Sequence, residues 1–197
     1  MRQRAMAGEG VYGVKVFDFA RPLGQQEVPE HEAGIDVDIA VPGPISSALS
    51  SNQTVAIFVL DVRTWKTPWK TGADRYQLDY AGDFLGERQW NWLEQSIRRS
   101  RASVNVVVNG LQVHAYRFLD GNVAESWAQY PTAQQRLFDA VLQDGVQAPL
   151  LVSGDVHMTQ LLRKDCARKG EYQTRRSLVE MTTRYERGRK PLVRARV

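Results

Sequence analysis

The stretch that decides the fold is Leu150-Leu151-Val152-Ser153-Gly154-Asp155-Val156-His157, an apolar run that breaks at a glycine and then presents an acid and an imidazole two residues apart. A short run apolar on both faces fits a strand buried on both sides, as in a parallel sheet. Residues i and i+2 of an extended backbone share a face, so Asp155 and His157 are expected to aim at one point beyond the strand end. Open α/β sheets keep their chemistry there. A carboxylate oxygen and a neutral imidazole nitrogen suit iron, zinc or manganese, and such an ion polarises a phosphoryl oxygen or generates hydroxide near neutral pH. The competing reading is a Gly154 turn whose polar neighbours cap the next segment.

Outward from this motif, the chain alternates strand and helix patterns. Val11 to Phe19 reads as a short strand, and Thr54 to Leu60 reads as a buried one from its Val, Ile and Phe content. Glu87 to Arg99 is a helix, with Trp90, Leu93 and Ile97 on one stripe and arginines at the end that the helix dipole favours. Val104 to Val108 is a second buried strand. Pro131 opens another helix where its missing N–H costs nothing; Ala133, Leu137 and Val141 mark its inward stripe, and Gly145 stops it. Leu150 to Ser153 and Leu178 to Thr182 complete the strands. Arg21 to Ser51, rich in Pro, Gly, Ser and acids, has no period and reads as a long excursion or lid. This alternation indicates βαβ units, an α/β class and a largely parallel sheet.

Several separated elements carry a resemblance. They are Val59-Leu60-Asp61-Val62-Arg63, Phe84 to Glu94, Val108-Asn109-Gly110-Leu111-Gln112-Val113-His114, Ala124 to Pro131, and Ser153-Gly154-Asp155-Val156-His157. In this order they resemble the C-terminal half of a PhoD-like alkaline phosphatase, a branch of the metallophosphoesterases, from about Val55 to Thr183. The resemblance implies a layered α/β/β/α fold and a two-metal site, with iron and calcium or other divalent metals, that hydrolyses phosphate esters. It implies Asp155 and His157 as metal ligands. Asp61, Asn109 and His114 are expected at the substrate or in the outer shell, with His114 at the rim.

The chain also departs from that family. Its members carry a Gly-Asp-x-x-Tyr element and an Asp-x-His-Asp element before the Leu-Asp-x-Arg strand; neither occurs here, and the 54 residues before Val55 hold a single histidine, His31. Residues 1–183 are therefore expected to form a partial metallophosphatase domain lacking the N-terminal strands and ligand motifs. The isolated chain is expected to be an inactive, incomplete copy of a phosphatase. The alternative is a non-catalytic fragment with no functional two-metal site.

Charge locates a boundary. The total is +4, but in Arg184 to Val197 six basic residues face Glu186 alone, giving +5 and leaving −1 for the rest. That argues against a nucleic-acid surface on the domain and makes residues 184–197 a basic tail expected to be disordered. Cys166 is the one cysteine, so no internal disulfide forms. No apolar run reaches the length of a membrane span, and Met1 to Glu9 lacks a signal-peptide core. Asn52-Gln53-Thr54 matches a glycosylation acceptor, a triplet common by chance. Trp90, Trp92 and Trp127 are expected in the core, and Glu125 and Ser126 are expected to cap a helix.

Overall fold

The computed structural model describes residues 10–19, 31–32, 54–72, 76–117, 125–166, 176–183 and 193–196. The stretches read above as a lid, a glycosylation acceptor and the N-terminal start lie wholly or largely outside them. So do residues 184–192 of the tail and the side chains of His31 and Cys166.

Among the described residues the strands are β1 (Gly13–Asp18), β2 (His31–Glu32), β3 (Thr54–Val59), β4 (Val104–Val108), β5 (Pro149–Ser153), β6 (Gln160–Cys166), β7 (Arg176–Thr182) and β8 (Val193–Arg196). They form one sheet in the order β2-β1-β3-β4-β5-β7-β6-β8. Its centre is parallel, β3 to β4 to β5 to β7. Antiparallel β1 lies along the whole of β3, and antiparallel β6 lies along β7. The sheet is thus mixed, a correction to the largely parallel expectation that comes from its flanks. A second correction concerns the tail: residues 193–196 are a strand parallel to β6, because backbone pairing needs no apolar side chains.

Helices α1 (Gly86–Arg99) and α2 (Pro131–Leu142) form where the periodicity places them. Asp83 starts α1 by accepting the Gly86 N–H at 2.7 Å and the Trp90 indole N–H at 2.7 Å. Trp90, Leu93 and Ile97 of α1 join Leu137 and Val141 of α2 in one core with Ala56, Phe58, Val107, Leu151 and Leu178 from alternate strand positions. Arg136 of α2 fastens the helices to each other, its Nη1 and Nε each 2.7 Å from a carboxylate oxygen of Glu87 and Glu94 of α1. The opposite sheet face, including Ile57, Val104, Val106, Val108 and Val152, is half-buried. No helix among the described residues is long and apolar enough to cross a membrane.

Candidate functional site

Because β3, β4, β5 and β7 run parallel, their C-terminal ends share one edge, and Asp61, Asn109, Asp155 and Thr182 stand at or just beyond those ends. The sequence motif is placed as expected, in the loop that leaves β5. Asp155 and His157 are both exposed. Their backbones are not extended: φ is +74° at Asp155 and +56° at His157. Non-glycine residues adopt this region at a cost on the order of 1–3 kcal/mol each, and such strain collects at functional sites. Gly154 itself is not the residue with positive φ, so the turn is made by the two candidate ligands.

Asp61 is buried and occupied. Its carboxylate accepts the backbone N–H groups of Val11 (2.7 Å), Arg63 (2.9 Å) and Thr64 (3.0 Å) and the Thr64 hydroxyl (2.6 Å). Burial acts to raise its pKa, yet these four donors outweigh it and hold the carboxyl below the ordinary range. Gln89 of α1 completes the corner by accepting the Asp61 N–H at 2.8 Å and donating to the Asp61 carbonyl at 2.9 Å. The Asp61 side chain thus locks the end of β3 to the start of β1.

Asn109 also builds structure. Its Oδ1 accepts the Leu111 N–H at 3.0 Å and the Trp127 indole N–H at 3.1 Å. Its Nδ2 is buried with no acceptor among the described residues.

His114 lies inside the fold, only 2% exposed, rather than at the rim. The turn after Gly110 delivers it beneath α2, with its ring 5.6 Å from that of Phe138 and Nε2 3.1 Å from the Leu178 carbonyl oxygen. A carbonyl only accepts, so Nε2 carries the proton and Nδ1, which has no partner among the described residues, is bare. Burial lowers the His114 pKa to about 4, the Leu178 contact opposing and Lys164 assisting.

Sequence reasoning missed a buried polar cluster at the same edge, formed by Gln112, Ser153, Gln160, Glu180 and Thr182, each 5% exposed or less. Glu180 accepts the backbone N–H groups of Val113 and His114 at 2.7 Å each and the Ser153 hydroxyl at 2.7 Å. Burial raises the Glu180 carboxyl above its ordinary range against these donors. The signal was present in Leu178-Val179-Glu180-Met181-Thr182, where two polar residues alternate in phase with the core residue Leu178. Ser126 stands at the N-cap of a short 3-10 helix, Trp127–Gln129, with no side-chain cap bond: its hydroxyl donates to the Ala115 carbonyl, and Glu125 Oε1 accepts the Trp69 indole N–H at 2.7 Å.

Residues 40–184 match the model of the PhoD-like phosphatase family, well over half of the chain. The chain belongs to the PhoD-like phosphatase family. The family match begins N-terminal to the Val55 start inferred from motifs. A solved structure of PhoD resembles the chain with a TM-score of 0.50 and 19% identity over 65% of its length, a likeness of fold. This chain covers 26% of that protein, so it spans about a quarter of the solved chain's length. No curated protein sequence matches.

Two metal ions require more donors than one carboxylate and one imidazole. Among the described residues, no group of three or more His, Cys, Asp or Glu side chains is arranged to hold an ion. Asp155 and His157 have the right donor chemistry for part of a shell, and the described residues do not make up the whole of one.

Proposed function

We propose that the protein hydrolyses phosphate esters with the help of divalent or trivalent metal ions, and that Asp155 and His157 each contribute one ligand. The observation that carries this reading is the position of the pair: an acid and an imidazole, both exposed, in a strained loop at the C-terminal end of a central parallel strand within the family match. Bound ions at that edge would neutralise charge on phosphoryl oxygens and acidify a water. The remaining donors would come from outside the described residues. Asp61, Asn109 and Glu180 act one step back: they fix the ends of β3, β4 and β7, and with them the floor on which a phosphate ester sits.

Chelation tests this reading. The intact gene product is expected to turn over a chromogenic phosphate ester, to lose at least about tenfold of that rate after exhaustive treatment with a metal chelator, and to regain it when divalent ions are returned. Absence of phosphate-ester turnover, or turnover indifferent to chelation, would overturn it.

A further inference from the structure

The loop carrying Asp155 and His157 runs from Gly154 to Thr159, between β5 and β6, and both of its ends enter one chain of buried hydrogen bonds. At the first end, Ser153 Oγ donates to Glu180 Oε1 at 2.7 Å and lies 2.8 Å from Thr182 Oγ1. At the second end, Gln160 Oε1 accepts from Gln112 Nε2 at 2.6 Å, and the same Nε2 donates to Thr182 Oγ1 at 2.9 Å. The Ser153 carbonyl also accepts the Thr183 N–H at 3.1 Å, tying β5 to β7 where both strands end.

One arrangement of protons is consistent with all four bonds, and it leaves only Gln112 Oε1 of the chain's side-chain oxygens buried without a partner among the described residues. Gln112 donates one N–H to Gln160 and the other to Thr182, the Thr182 hydroxyl donates to Ser153, and the Ser153 hydroxyl donates to Glu180. The last three bonds point the same way, toward the carboxylate, so each polarises the next. A buried polar chain is costly unless its members are paired, whereas apolar residues would join these strands at no such risk. The polar chain sits directly beneath the loop whose two candidate ligands hold positive φ, a conformation that persists only where the surroundings over-determine it.

We infer that Gln112, Thr182, Ser153 and Glu180 form a positioning clamp that holds both ends of the Asp155–His157 loop and so keeps those side chains in their reactive arrangement. The clamp's purpose rests on the loop being the reactive edge, but its mechanical action does not. Backbone 15N order parameters measured without metal or substrate separate the two. In the wild-type protein the amides of Asp155 to His157 are expected near the rigid value of about 0.85. Thr182→Val, which keeps the shape and removes the bridging hydroxyl, should lower them to below about 0.6, and Thr182→Ser should restore them. Gln112→Leu should do the same as Thr182→Val. Amides of α1, remote from the clamp, should not change in any variant. If Gln112→Leu fails to fold, the Thr182 pair, differing by little more than a hydroxyl and a methyl, carries the comparison. A loop that stays rigid in folded Thr182→Val, or that loosens equally in Thr182→Ser, would overturn the clamp and leave the phosphatase reading untouched. A rigid-to-mobile change in a protein that hydrolyses no phosphate ester would instead keep the clamp and remove its catalytic purpose.

Discussion

Trp127→Ala is expected to cost about 3–5 kcal/mol of folding free energy, the range for removing a buried tryptophan. Trp127 has no exposed surface, and its ring stacks on Phe84 with centroids 4.4 Å apart and meets the edge of Trp90 at 6.1 Å. Its indole N–H also fills one side of Asn109 Oδ1 at 3.1 Å, so alanine leaves both a large cavity and a weakened corner at the end of β4. Domain stabilities are only about 5–15 kcal/mol, so the loss consumes roughly a fifth or more of the total. Chemical denaturation followed by tryptophan fluorescence and far-UV circular dichroism measures it. A cost below about 1 kcal/mol would mean that the aromatic cluster is not the centre of the core.

The second large effect is a loss of stability in acid through His114. Its folded pKa, about 4, lies below the ordinary 6.5, so between these values the unfolded chain takes up a proton that the folded chain refuses. Stability from this group is therefore complete above pH 6.5 and declines as pH falls toward 4, by about 3 kcal/mol at 1.36 kcal/mol per unit. The structure gives the reason: a proton on Nδ1 would be buried with no acceptor among the described residues, beneath Phe138 and near Lys164. Glu180, raised by burial, contributes with the opposite sign over part of this range, because its folded form holds a proton longer than its unfolded form. The His114 contribution is therefore read as the difference in pH dependence between wild type and His114→Leu. The leucine variant should lose the decline between pH 6.5 and 4 that belongs to His114; identical slopes in the two proteins would contradict the assignment. At this position substitution is expected to act on stability, whereas the sequence pointed to the substrate or the outer shell.

What the sequence made legible depended on whether the deciding interaction was local. Helix α1 was readable because Trp90, Leu93 and Ile97 repeat at its own period, and β4 and β5 because their apolar runs end at turn residues. Strand β6 was not, since Gln160-Leu161-Leu162-Arg163-Lys164-Asp165-Cys166 shows no alternation; what makes it a strand is seven residues of antiparallel pairing with β7. The same limit governed the site. Gly154-Asp155-Val156-His157 announced its own position at a strand end. His114 gave no sign of facing inward, because the carbonyl that holds it belongs to Leu178, 64 residues away in the chain. Asp61 was expected at the substrate or in the outer shell, and the donors that surround its carboxylate include the Val11 N–H, 50 positions away in the chain. The clamp joins residues up to 70 positions apart, beyond the reach of any short motif.

Metal content per folded molecule is the most direct test of the central claim that Asp155 and His157 are ligands at the reactive edge. Elemental analysis of the folded fraction of the intact gene product should find bound metal in the wild type. It should find at least about tenfold less in both Asp155→Asn, which removes the charge that offsets the cation, and His157→Ala, which opens a coordination position. Far-UV circular dichroism should stay unchanged in both, since the two side chains are exposed. Full metal occupancy in both folded variants would contradict the ligand assignment and return the pair to a strand-terminating turn.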